Sequence, residues 1–91
     1  MVTAIVFIKA DVTQIPQIAE TIAALNGVSE VYSVTGALDL IAMVRVGQLD
    51  QVADVVTDQV NQVAGVLSTE THIAFRAFSA RDVDAAFSLG G

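Results

Sequence analysis

Apolar and polar positions along this chain fall into blocks of different period. Residues 2–10, Val-Thr-Ala-Ile-Val-Phe-Ile-Lys-Ala, are rich in β-branched and aromatic side chains over a length short for a helix, and they predict a strand. Val2, Ala4, Val6 and Ile8 share one face of it and Ile5 and Phe7 the other, so both faces are apolar. Asp11-Val12-Thr13 predicts a turn. Thr13 is expected to cap a helix with Pro16 in its first turn, where the missing N–H does no harm. Ile15, Ile18, Ala19, Ile22 and Leu25 then repeat at helical spacing, until Asn26-Gly27 offers the left-handed backbone that ends helices. Residues 28–35 predict a second strand, with Val28, Tyr32 and Val34 on one side. Gly36 breaks it. Residues 38–46 predict a third strand, with Leu38, Leu40, Ala42, Val44 and Val46 on one face and Asp39, Ile41, Met43 and Arg45 on the other. After Gly47-Gln48, the residues Leu49, Val52, Ala53, Val56, Val60 and Val63 repeat at helical spacing opposite Asp50, Asp54, Asp58 and Asn61. That periodicity outweighs the mild helix penalty of valine. Ala64-Gly65 ends the helix, and residues 66–78 predict a fourth strand with Glu70, His72 and Arg76 on one face. In the tail, residues 79–91, the apolar group Val83, Ala85, Ala86, Phe87 and Leu89 predicts a short helix that docks on a neighbour.

Strand-helix-strand thus occurs twice, and the halves echo each other. Leu25-Asn26-Gly27-Val28 matches Val63-Ala64-Gly65-Val66, each a helix end running straight into a strand. A doubled βαβ unit predicts an α+β, ferredoxin-like βαββαβ sandwich over residues 1–78. Right-handed crossovers give an antiparallel sheet in the order 4-1-3-2. Strands 1 and 3, apolar on both faces, belong at its centre. Two helices cover only one face of such a sheet, so the second apolar face needs another sheet against it.

Composition sharpens that expectation. Of 91 residues, 54% are hydrophobic and 15% charged, which is apolar-rich for a domain with so much surface to keep wet. No apolar run approaches the roughly 18 to 20 residues that span a bilayer. Nor does the N-terminus carry a basic region and a small-residue cleavage site. The expected cover is a partner subunit. A net charge of −6, with Lys9, Arg45, Arg76 and Arg81 scattered, argues against direct nucleic-acid binding. The absence of cysteine removes disulfides, thiolate metal sites and thiol nucleophiles, and fits a cytoplasmic protein.

Catalytic chemistry is sparsely supplied. His72 is the sole histidine, and a grouping of Ser33, His72 and Asp39 has no nucleophile elbow or oxyanion loop beside it. No ligand pair stands at metal-binding spacing, and no glycine-rich phosphate cradle is present. Asp50, Asp54 and Asp58 read as a solvated helix face. We therefore expect no enzyme, no cofactor and no metal. The turn at Gly36 is different. Ser33 and Thr35 offer hydroxyls, Gly36 admits a ligand close to the backbone, and Asp39 is a lone carboxylate among apolar residues. Asp39 has two readings: it accepts hydrogen bonds from a ligand ammonium, or it caps the turn by bonding nearby backbone N–H groups.

The segment Thr35-Gly36-Ala37-Leu38-Asp39-Leu40-Ile41, the helix end Val63-Ala64-Gly65-Val66 and the strand Ser68-Thr69-Glu70-Thr71-His72-Ile73-Ala74 together resemble the Lrp/AsnC family. The match is to its effector-binding domain, the regulation-of-amino-acid-metabolism (RAM) domain, and covers residues 1 to about 78. The resemblance implies sheets packed face to face as dimers, an assembly of the dimeric α+β barrel type, with dimers closing into rings, often octamers. It implies an amino-acid effector bound between dimers. Carried over by position, its contacts are Ser33, Val34, Thr35, Gly36 and Asp39 around the turn, Thr71, His72, Ile73 and Ala74 in the last strand, and Leu49. Full-length members carry a helix-turn-helix domain for which this chain has no room. A stand-alone effector domain is expected, acting on transcription through association with full-length regulators. Members often have an aromatic residue before the aspartate, where this chain has Leu38. Two other readings share the same plan. One is a small dimeric α+β barrel enzyme using His72 or Tyr32 in a cleft between sheet and helices. The other is a purely structural assembly module.

Overall fold

The computed structural model describes residues 1–80. Strand β1 is Val2–Ala10, and a 3₁₀ turn over Val12–Gln14 leads into helix α1, Ile15–Ala23. Strands β2, Val28–Ser33, and β3, Leu40–Val46, follow, then helix α2, Asp50–Val56, a second 3₁₀ turn over Val60–Gln62, and strand β4, Val66–Ala74. The sheet runs β2-β3-β1-β4 with antiparallel neighbours, so the strands that are apolar on both faces are indeed the inner pair. This is the ferredoxin-like α+β sandwich expected from the doubled βαβ pattern. Of the tail expected over residues 79–91, the apolar group from Val83 to Leu89 lies outside the described residues.

The core forms where one sheet face meets the helices. Ala4, Val6, Ile8 and Ala10 of β1 and Leu40, Ala42, Val44 and Val46 of β3 are buried against Ile18 and Ile22 of α1 and Val52, Val55 and Val56 of α2. Among the described residues no polar side chain is buried. No helix among them is long and apolar enough to cross a membrane.

The two halves close in the same way. Val28 N–H donates to Leu25 C=O at 3.2 Å and Val66 N–H to Val63 C=O at 3.1 Å, each across a glycine with positive φ, +92° at Gly27 and +95° at Gly65. Each glycine carbonyl then accepts from the end of an inner strand, Gly27 from Arg45 N–H and Gly65 from Asp11 N–H, both at 2.8 Å. The sequence echo is therefore a structural one.

Four local expectations need correction. Asp11, not Thr13, is the capping residue: its Oδ1 accepts from Thr13 N–H at 3.0 Å and from Thr13 Oγ1 at 2.7 Å, and α1 itself begins at Ile15 after an uncapped Gln14. The second helix stops at Val56 instead of running to Val63, and it buries Val52, Val55 and Val56, while Leu49 and Ala53 are exposed. A run of β-branched residues ending Val-Val-Thr holds a helix poorly. The side-chain amides of Gln59 and Gln62 donate to the carbonyls of Asp54 and Thr57, both at 3.4 Å. In β2 a bulge at Ser29 sets Val28 opposite Val44 and Glu30 opposite Met43. One extra residue flips the alternation, so Val28 and Val31 face the core and Tyr32 faces away, opposite Ile41. The strands on either side of Gly36 are also shorter than expected, ending at Ser33 and starting at Leu40. Leu38 consequently lies outside the ladder and reaches the outer face of the sheet.

Thr13 also donates the bonds that hold the Asp11 carboxyl below its ordinary range. A carboxylate lowered in the folded state supports folding above its unfolded pKa, and that support fades as the pH falls through the folded value. Asp11→Ala is therefore expected to be less stable than wild type at neutral pH, with the gap narrowing in acid. Urea melts of both proteins over a series from neutral pH down to about pH 2 check this.

Candidate functional site

Among the described residues no helix lies over the outer face of the sheet. Ladder partners point to the same side, so β1 presents Ile5 and Phe7 there, β3 presents Ile41, Met43 and Arg45, β2 presents Tyr32, and β4 presents Glu70, His72 and Ala74. The inner strands supply the apolar centre and the edge strands supply most of the charge. Arg45 bonds Ser29 and pairs with Glu30 at 3.3 Å, and Glu30 in turn accepts from the Tyr32 hydroxyl and pushes that phenol above its ordinary range. On the other edge, His72 Nε2 lies 2.9 Å from Glu70 Oε2, and its ring stands edge-on to Phe7 with centroids 5.1 Å apart. Ile5, Phe7, Leu38, Glu70 and His72 line a shallow hollow of about 410 Å³.

The turn between β2 and β3 hangs at one end of this sheet. It is held by three bonds to the end of β1. Asp39 N–H donates to Ile8 C=O at 3.0 Å, Asp39 Oδ2 accepts from Ala10 N–H at 2.8 Å, and Lys9 Nζ donates to Ala37 C=O at 3.1 Å. Val34 N–H closes the loop onto Asp39 C=O at 3.1 Å. The half-buried carboxylate thus gives Ala10 N–H a partner at the sheet margin. Its Oδ1 has no hydrogen-bond partner among the described residues. Gly36, with φ of +107°, has nothing within 4 Å of where a Cβ would stand, so its freedom serves the backbone turn alone.

The residues expected at an effector site do not all meet in one chain. Ser33, Val34, Thr35, Gly36 and Asp39 cluster at the turn, at the end of the sheet where Ser33 and Ile8 both pair with Leu40. Thr71, His72, Ile73 and Ala74 pair with Val6, Ile5, Ala4 and Thr3, further along β1 toward its start. At a rise of about 3.3 Å per residue, Ala74 is on the order of 15 Å from the turn along the sheet. The four are also split between faces: His72 and Ala74 look outward, Thr71 and Ile73 to the helix side. Leu49 is exposed ahead of α2. What joins the groups is Leu38, which sequence periodicity placed on the same face as Leu40 and Ala42 and which here shares the hollow with His72. Its spacing carried no signal for this, because the strand register starts only at Leu40.

Ser33 and His72 occupy opposite edge strands, three spacings of about 4.8 Å apart, so Ser33, His72 and Asp39 form no catalytic grouping. His72 and Tyr32 both lie on the outer face, and the space between sheet and helices is filled by aliphatic core. Among the described residues no group of three or more His, Asp or Glu gathers that would hold a metal ion.

A ferredoxin-like domain with one sheet face left bare by the described residues, and a turn tied across its end, is the class that this geometry defines. The Lrp/AsnC ligand binding domain model matches residues 3–83, and the chain belongs to that family. A protein of Thermus thermophilus is similar in sequence and shape, at 44% identity and a TM-score of 0.81, over 87% of this chain and 99% of that one. A hypothetical protein of Pyrococcus horikoshii is 27% identical with a TM-score of 0.77, over 85% of this chain and 93% of that one. A transcriptional regulator of Neisseria meningitidis, solved as a complex with L-Met, shares the fold at 12% identity and a TM-score of 0.76, over 86% of this chain and 52% of that one. No curated protein sequence matches at a significant level.

Proposed function

We propose that this domain is a non-enzymatic regulatory module that binds an amino acid or a related small metabolite where its subunits meet. The observation that carries the reading is the division of the expected contacts. Leu38 brings the turn to His72 within one chain, but Ala74 lies further along the sheet and Thr71 and Ile73 face its other side, so a pocket using all of the expected contacts needs a second copy to supply some of them. Membership of a ligand-binding family supports a small-molecule effector. Asp39 supports an amino acid, because its free Oδ1 suits a ligand ammonium while Oδ2 stays on Ala10. The reading includes a dimer with the bare sheet faces together, closure of dimers into a ring such as an octamer, a cytoplasmic location, and association with full-length regulators of the family.

Calorimetric titration with a panel of amino acids tests it on wild type and Asp39→Asn. The asparagine keeps an oxygen for Ala10 N–H, so the fold is spared while the charge is lost. One amino acid is expected to bind wild type, and its affinity for Asp39→Asn is expected to fall about tenfold or more, the usual worth of a charge-assisted bond. Equal binding to both overturns the role of Asp39, and no binding by any member overturns the ligand class.

A further inference from the structure

Residues 75–78, Phe-Arg-Ala-Phe, leave the end of β4 with their aromatic rings in water: Phe75 is 96% and Phe78 88% exposed. Two bare phenylalanines around an arginine are costly to solvate in a segment with no regular structure of its own. The same chain carries a receptor of matching chemistry. The outer-face hollow has apolar walls from Ile5, Phe7 and Leu38 and one carboxylate, Glu70, whose side chain is 73% exposed and spends Oε2 on His72.

We propose that residues 75–78 of one copy form a strap seated in this hollow of a second copy, with aromatic rings on the apolar walls and Arg76 meeting Glu70. It rests on the open-face dimer proposed above and specifies what locks it. The strap does not serve its own hollow, because of direction. β4 passes Glu70 and His72 and then Ala74, which pairs with Thr3, so in its own chain the segment beyond Ala74 borders a separate cavity at the start of β1, with Thr3, Ile5 and Met43, and heads away from the level of Phe7 and Leu38. A second copy turned about an axis across the strands brings its own strap back over that level. By symmetry the contact is made twice. Charge favours a second copy over an unrelated partner. In a chain of net charge −6 with few cations, Arg76 is set between the two aromatics, and its complement sits in the chain's own hollow.

Sedimentation and light scattering over a dilution series test this with Glu70→Arg, Arg76→Glu and the double variant, after circular dichroism has shown each folded. Each single substitution sets like charges face to face twice per dimer and is expected to weaken association at least about tenfold. The double variant restores opposite charges and is expected to return to within about threefold of wild type. Phe78→Ser is expected to weaken the dimer without touching charge. Singles as strong as wild type, or a double as weak as the singles, overturn the strap. A dimer that Ile41→Lys breaks but these variants leave intact overturns the strap alone. A wild type that stays monomeric overturns the open-face dimer with it.

Discussion

Gly65→Ala is expected to destabilise the fold by about 2–5 kcal/mol, enough to threaten a domain of this size. Two costs add. An alanine at φ of +95° loses about 1–2 kcal/mol to its own carbonyl contact. Its Cβ would also stand 2.5 Å from Ile18 Cδ1 and 3.1 Å from Cγ1. Ile18 is 2% exposed and packed in the core, so its side chain cannot swing clear, and overpacking of this kind costs about 1–3 kcal/mol. Gly27 repeats the arrangement in the other half, with its virtual Cβ 2.7 Å from Val55 Cγ2. Each helix thus lies over the glycine that ends the other helix. Gly36→Ala supplies the control. It has similar positive φ but open space around it, so only the backbone cost of about 1–2 kcal/mol remains. Thermal melts of the three variants check the order. A Gly65→Ala protein no less stable than Gly36→Ala shows that the helix-over-glycine packing is wrong.

The parts of this fold legible in the sequence were those where one local rule acted alone. Residues 2–10 are β-branched and apolar on both faces, and no helix pattern competes, so β1 and its central place followed directly. Gly27 and Gly65 sit where a helix must stop and a strand begin, and only glycine fits such a turn well. The parts that were not legible depend on a single residue or on tertiary partners. A bulge at Ser29 moves Tyr32 from one face to the other, and nothing in a period of two announces an inserted residue. The bulge is held from across the ladder, where Ser29 Oγ donates to Met43 C=O at 3.1 Å and Arg45 bonds the same hydroxyl. Asp39 was recognisable as a carboxylate in need of a partner, yet the partner, Ala10 N–H, is 29 residues away in sequence. Leu38 was misassigned because it follows the alternation of a strand that has not yet begun.

Ile41→Lys is expected to leave the single subunit folded and to abolish its assembly in the micromolar range. Ile41 is half-buried on the outer face of an inner strand, opposite Phe7 on one side and Tyr32 on the other, so the helix-covered core does not feel the change. In a face-to-face dimer the same position lies near the middle of the buried patch. A lysine there leaves an uncompensated charge, which costs roughly 3–5 kcal/mol for each buried ion and appears once per subunit. Even one such cost weakens association by about two to nearly four decades. Acidic residues do not relieve it, because Glu30 is already engaged by Arg45 and Tyr32, and Glu70 by His72 and, in the proposed assembly, by Arg76 of the second copy. The helix side provides the comparison. Asp54 is exposed on α2, away from the bare face, and Asp54→Lys is expected to leave the dimer of this reading intact. Light scattering on both variants, with circular dichroism as the check on folding, decides the matter. If Ile41→Lys associates as tightly as wild type, the apolar outer face is not the seam between subunits. A metabolite pocket completed by a second copy would then have to be sought at the edge strands or the helices.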